Sequence, residues 1–310
     1  MDKISIVFSE LHWDLATLSY GTINGEWYFG VLVDRASHVG RLVLHKSKAD
    51  NFQGFKHLYL QLKASKPHLK CMHVVTDNES NTLEFQELAK QERFPLRLGS
   101  PHTGKAWLAE RCIQIFRRAA KAQLLEAKRG PRYAGHALRN SEVILNNSYS
   151  SALPLGITRN QAWEIEDLSN DARVIECRKK GPKLGEYHRF GEFCVVKTFA
   201  ARKDDANGVY ARYLGLLHSA PGLFVVELVD TRRIVVTKNV EFLSKSQETL
   251  TNDFLQLYFA ETQNLSEECP PDADGGTPST LPAVQPDPSI EPWKPCFSPL
   301  FFFFFFFFSK

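Results

Sequence analysis

The chain has 310 residues, 43% of them apolar, enough to bury a sizeable core in one large domain or two modest ones. Its net charge of +3 averages two unlike parts: residues 253–310 carry eight acids against two bases, net −6, which leaves +9 for residues 1–252. A basic body with an acidic tail suits a polyanionic partner, and equally an ordinary basic protein. The six cysteines have no Cys-x-x-Cys spacing and no adjacent His pair, which argues against a zinc finger or a disulfide framework.

From Met1 to Glu10 no long apolar stretch follows a basic start, so no secretion signal is read. The longest apolar run, Leu300–Phe308, falls far short of the roughly 20 residues of a membrane span. The expectation is an intracellular protein, nuclear or cytoplasmic, without membrane contact. Eight consecutive phenylalanines look like a translated T-rich stretch, which points to a fragmentary reading frame.

In chain order, residues 4–16 and 26–34 are rich in β-branched and aromatic side chains and read as strands, with turn-like residues 20–25 between them. Val39–His45 reads as a third strand completing a meander. Residues 48–64 read as a helix, with Phe52, Phe55, Leu58 and Leu62 at helical spacing and Pro67 beyond its end. Cys71–Thr76 is a short strand, Thr82–Glu92 a helix, Pro95–Leu98 a brief strand, Trp107–Lys128 a long helix and Tyr133–Asn147 another. Hairpins followed by alternating α/β units give a mixed sheet with helices on its faces, an order that fits the ribonuclease-H-like fold among other α/β folds. This core is assigned to residues 1–150.

Residues 151–190 read as a connector. Residues 191–245 hold short, closely spaced strands, Phe193–Ala200, Tyr210–Leu217, Leu223–Val229 and Arg233–Val240, expected to form a small all-β barrel or sandwich. Residues 246–310 form an acidic tail. Nine of the sixteen prolines fall within 270–299, among Asp, Ser, Thr and Gly, so this tail is expected to be disordered.

Among 35 acidic residues, position on the elements singles out three. Asp14 lies in or just after the first strand, Asp77 at the end of the fourth, and Glu110 near the start of the long helix. Adjacent central strands could bring the two aspartates to one sheet edge. Three carboxylates held close stay ionised only if cations neutralise them, and hard oxygen ligands select Mg2+ or Mn2+. Two such ions about 4 Å apart support in-line phosphoryl transfer. The structural alternatives are a turn role for Asp14, capping of the following helix by Asp77-Asn78, and a helix-dipole role for Glu110.

Along the long helix, Glu110, Gln114, Arg117, Lys121 and Lys128 share one face, and Leu108, Cys112, Ile115, Ala119 and Ala122 lie broadly opposite. From Lys105 to Arg139 there are nine Lys or Arg against two Glu. Such a stripe grips phosphates, or is simply a solvated face. Lys105, Gln114, Arg117, Lys121 and Lys128 are the candidate nucleic-acid contacts.

These residues resemble the integrase of copia-type LTR retrotransposons. The matches are His12-Trp13-Asp14-Leu15, Gly25-Glu26-Trp27-Tyr28-Phe29, Asp34-Arg35-Ala36-Ser37, Thr76-Asp77-Asn78-Glu79, Ser100-Pro101-His102-Thr103 and Ala109-Glu110-Arg111. Asn146 and Pro154-Leu155-Gly156-Ile157-Thr158 continue the pattern, and Arg189–Leu243 resembles the small Src-homology-3-like barrel that follows the core in that family. The resemblance spans about residues 8–245.

It implies a metal-binding catalytic triad of Asp14, Asp77 and Glu110, two Mg2+ or Mn2+ ions, DNA ends and target DNA as partners, and a homo-oligomer. The implied activity is a polynucleotidyl transferase that joins DNA 3′ ends to target DNA. The alternatives are a catalytically inactive remnant that binds nucleic acid and a nuclease of the same fold. The Asp77-to-Glu110 spacing of 33 is slightly short, and the segment from Pro101 to Glu110 is one residue shorter than the pattern and lacks its Asn-Gly. No upstream His/Cys zinc-binding segment is read. Asp34 is expected to order the turn after its strand.

Overall fold

The β-branched and aromatic run Tyr28–Asp34 forms the strand β2, every residue of which except Tyr28 is buried. It pairs antiparallel with β1 (Glu10–Thr17) on one side and β3 (Gly40–His45) on the other. The computed structural model describes residues 5–78, 80, 82–99, 108–154, 156–180, 188–197, 208–217 and 222–243. The first strand begins later than the sequence suggests. Phe8 takes a left-handed backbone, φ 62°, and its N–H donates to the Asp34 carboxylate at 2.7 Å, so the strand is interrupted there, and Ile6 before it bridges to Asp167 instead.

Two further strands, β4 (His73–Thr76) and β5 (Leu96–Leu98), run parallel to β1, in the order β3-β2-β1-β4-β5. Helices cover both faces of this mixed sheet. Leu11 and Trp13 point to one face and pack with α1 (Asn51–Ser65) and α2 (Leu83–Glu92) through Phe55, Leu58, Phe85 and Leu88. Ala16, Phe29, Val31 and Val33 point to the other and pack with α3 (Leu108–Glu126) and α4 (Ala134–Asn146) through Ile113, Phe116, Ala137 and Leu138. Period-two alternation thus separates two cores across one sheet. Gly30 is obligatory here, because a Cβ on it would lie 2.0 Å from the Trp13 ring.

The region read as a connector contains two helices, α5 (Arg159–Ile165) and α6 (Asp171–Lys180). The start of α5 is a capping box: the Thr158 hydroxyl accepts from the Gln161 N–H at 3.2 Å and the Gln161 side chain accepts from the Thr158 N–H at 2.8 Å.

A second sheet consists of β6 (Phe193–Lys197), β7 (Gly208–Leu216), β8 (Phe224–Leu228), β9 (Ile234–Thr237) and β10 (Val240–Phe242). The segment read as one last strand is two, broken at residues 238–239. The order is β10-β6-β7-β8-β9, so consecutive strands sit at opposite edges. The expected barrel is not closed: among the described residues no pairing joins β9 to β10, and the sheet is open. Leu214 of β7 and Phe190 belong to the core of α3 and α4. The buried Glu227 of β8 accepts from Arg129 and Tyr133, which lie between α3 and α4. Residues 246–310, expected to be a disordered tail, lie outside the described residues. Among the described residues no helix is long and apolar enough to cross a membrane.

Candidate functional site

On β1 the side chains of Glu10, His12 and Asp14 alternate with Leu11 and Trp13 and so share the α3 face of the sheet. The parallel neighbour β4 is registered with His12 opposite Val75. Two residues further along both chains come Asp14 and Asp77, the latter just past the end of β4. Adjacent parallel strands therefore deliver two sequence-distant aspartates to the same end of the sheet. Each is half-buried and has one oxygen committed locally: Asp14 Oδ1 accepts from the Leu15 N–H and Asp77 Oδ1 from the Ser80 N–H, both at 2.8 Å. Asp77 does not cap α2. The N-cap of that helix is Thr82, whose side chain makes no capping bond.

Glu110 lies exposed in the first turn of α3, where its charge also suits the helix dipole. Burial pushes the Asp14 carboxyl up to about 6, helped by the charge of Asp77 and, more weakly, of Glu110. The Leu15 N–H and the Arg117 guanidinium act in the opposite direction. The Asp14 carboxyl thus feels the charges of the other two acids. Among the described residues, no group of three His, Cys, Asp or Glu is disposed to hold a metal ion as it stands. The two facts agree, because charge interaction reaches further than ligation.

The exposed face of α3 carries Gln114, Arg117 and Lys121. Arg117 is also structural: it donates to the Thr17 carbonyl and lies 5.6 Å from the Phe29 ring centre. The buried face of α3 is Ala109, Cys112, Ile113, Phe116 and Ala120, rotated from the expected one, and Ala122 is exposed. Lys128 is not on the helix. The helix ends at Glu126, the Arg129 N–H returns to the Leu124 carbonyl at 2.8 Å, and Lys128 occupies the left-handed turn, φ 51°. Lys105 and the segment 100–107 lie outside the described residues.

A charge cluster beside this site escaped the sequence reading. Glu10 is 3% exposed and accepts from His12 Nε2 at 2.8 Å, from His73 Nε2 at 2.6 Å and from Arg35. Burial pushes its carboxyl up, but these three donors outweigh burial and hold it below the usual range. Period-two spacing of Glu10, His12 and Asp14 was the available signal. Asp34 is fully buried at the end of β2 and accepts from the N–H and the hydroxyl of Ser37 at 2.7 and 2.6 Å, which fixes the β2–β3 turn.

No family model matches the chain, and no curated protein does. Solved structures similar to it include the HTLV-2 integrase catalytic core domain in complex with magnesium, in dimeric and trimeric forms. Each is 20% identical over 51% of this chain and 97% of that one, with TM-scores of 0.39 and 0.40. Another is the simian T-cell lymphotropic virus intasome in complex with PP2A regulatory subunit B56 gamma, 16% identical over 79% of this chain and 81% of that one, with a TM-score of 0.44.

Proposed function

We propose that the chain is a polynucleotidyl transferase of the copia-type integrase kind, joining DNA 3′ ends to target DNA. The observation that carries this is the convergence of charge on Asp14: Asp77 and Glu110, from elements distant in sequence, both push its carboxyl upward. Burial adds to that repulsion, and acids without a shared task have no reason to be held against both.

The donor set is all carboxylate, which fits Mg2+ or Mn2+ and excludes softer metals. Asp14 and Asp77 each keep one oxygen free of the local bonds named above, and Glu110 is exposed and can turn toward them. These three would hold the ions. Two such ions, when bound, would activate the attacking oxygen and stabilise the leaving one. The protein's own part is to hold Asp14 on β1, Asp77 at the end of β4 and Glu110 on α3, and to seat the DNA strand. In the reaction a DNA 3′-hydroxyl oxygen forms a bond to a target phosphorus, the opposite P–O bond breaks, and the attacker's proton leaves to solvent. Gln114, Arg117 and Lys121, with Lys105 and Lys128 flanking them in sequence, are the proposed phosphate contacts. A homo-oligomer acting on paired DNA ends, with the second sheet serving as the family's Src-homology-3-like domain, belongs to the same reading.

A second reading has its own support. The segment before Glu110 is one residue short of the family pattern, and the three acids form no ready metal group among the described residues. A folded remnant that binds nucleic acid without joining it would look like this. One assay separates the two: the full chain with a branched DNA that mimics the joined product, with Mg2+ or Mn2+, beside Asp77→Asn. Metal-dependent reversal that vanishes in the variant supports the transferase. Absence of reversal by folded, DNA-binding protein supports the remnant.

A further inference from the structure

We propose that Arg111, Arg159 and His38 form a phosphate-binding subsite where the first turn of α3 meets the β2–β3 turn, taking a phosphate of the strand that passes Glu110. The placement on that strand rests on the transferase reading; the phosphate chemistry does not. The two turns are in direct contact. The Cys112 thiol lies 2.8 Å from where a Cβ on Gly40 would stand. Arg111, exposed, precedes Cys112, and His38 precedes Gly40 by two residues in a left-handed conformation, φ 57°. Arg159 opens α5 directly after its N-cap, and its charge acts on both Cys112 and His38.

The charges there do not balance. Burial pushes His38 down to about 4, and the cations Arg159, Arg111, Arg35 and His12 reinforce the shift. The ring is neutral at pH 7 and offers an N–H without adding charge. Arg159 is charged at any relevant pH, yet its Nε and Nη1 are buried with no hydrogen-bond partner. The group favouring its charge is the Cys112 thiol, itself pushed up by burial to about 12 and therefore uncharged at pH 7.

The nearby acids are engaged elsewhere. Glu10 holds His12, His73 and Arg35, while Glu142 pairs with Arg41 at 3.2 Å and accepts from the Leu42 N–H. Two buried N–H groups without partners are costly, and a tetrahedral oxyanion drawn in beside the half-buried guanidinium would give both an acceptor. Glu110 is the next residue to Arg111, so a phosphate held here belongs to the same stretch of substrate as the proposed reaction centre.

The test uses the full chain, a fluorescent DNA duplex and inorganic phosphate. Anisotropy titrations across a salt series give the slope of log affinity against log salt. Arg159→Gln removes the orphaned donors. Arg111→Gln is the companion, because Arg111 is exposed and its loss leaves the fold intact; circular dichroism confirms folding of both. The expected result is a slope shallower by about 0.9 in each variant, together with weaker competition by inorganic phosphate. If the DNA slopes are unchanged but inorganic phosphate raises the Tm of the parent and not of the variants, the site takes free phosphate and its placement on the strand falls. If both folded variants match the parent in slope and in phosphate response, the proposal is overturned. Asp77→Asn separates the two ideas: it should keep the parental slope. Shallower slopes in the arginine variants of a chain that never joins DNA would leave the phosphate site standing and sink the transferase.

Discussion

Asn146 on α4 holds both backbone groups of Gly40: its Nδ2 donates to the Gly40 carbonyl at 2.7 Å, and its Oδ1 accepts from the Gly40 N–H at 3.1 Å. One turn earlier, the Glu142 carboxylate accepts from the Leu42 N–H at 3.3 Å. Side chains of a helix thus stand in for a missing strand along the β3 edge. Asn146→Leu leaves two buried backbone groups without partners and should cost about 2–4 kcal/mol, read as a lowered urea midpoint. The bared edge should also make the variant self-associate in light scattering. An unchanged midpoint would show that water replaces the amide at no cost.

Asp14 and Asp34 give a pH dependence of defined sign. Both carboxyls are pushed up by burial to about 6, above their ordinary value of 3.8. Between those values each of the two binds more protons in the folded state than in the unfolded chain, so their contribution to stability falls as pH rises through the window, against the opposite contribution of the His38 and His136 rings, which burial pushes down to about 4. Asp14→Asn removes one of the two contributions. In metal-free buffer at pH 7.5 it should be more stable than the parent by about 1–3 kcal/mol, and that advantage should grow as pH rises from 4 to 6. A variant less stable at pH 7.5 would show that the Asp14 charge is compensated in the fold.

Glu110→Gln tests the third acid. It keeps the size of the side chain and removes its charge from an exposed position, so the Tm should hardly move. Joining or its reversal should fall by at least about 100-fold. DNA affinity should stay within about twofold of the parent, since one exposed acid removed slightly favours a polyanion. Full turnover in this variant would take Glu110 out of the chemistry.

Glu227 is 1% exposed and accepts from both Arg129 and Tyr133. Glu227→Gln leaves a guanidinium mostly buried without its counter-charge, at a cost of about 3–5 kcal/mol. Tyr133→Phe removes one hydrogen bond and should cost about 1 kcal/mol. Urea unfolding of both variants checks the ratio. Equal losses would mean that the ion pair adds nothing beyond the hydrogen bonds.

The first sheet was legible because its signals are local. Alternation in Glu10–Thr17, the buried run Tyr28–Asp34 and the helical spacing of Phe55, Leu58 and Leu62 all survive in the structure. Strand starts were not legible where tertiary bonds decide them, as when the Asp34 carboxylate captures the Phe8 N–H. α5 announced itself through Thr158 and Gln161, three residues apart, and was overlooked because a composition change nearby suggested a linker. In the candidate site, Asp14, Asp77 and Glu110 could be named from element ends. In the neighbouring cluster the spacing of Glu10 and His12 was a local signal, but His73 joins them through the β1–β4 register, which couples residues about sixty apart and has no local trace. The orphaned Arg159 donors depend on tertiary burial and had no sequence signal.

Phe190 and Leu214 complete the apolar layer on α3 and α4, although they come long after those helices in the chain. During synthesis the helices therefore emerge with an unfinished oily face, and it stays wet until β7 leaves the ribosome. That interval is when a chaperone is most needed. It also means that a ribosome stalling between residues 150 and 190 releases a sticky product, whereas one stalling after β10 releases a molecule able to close its own core.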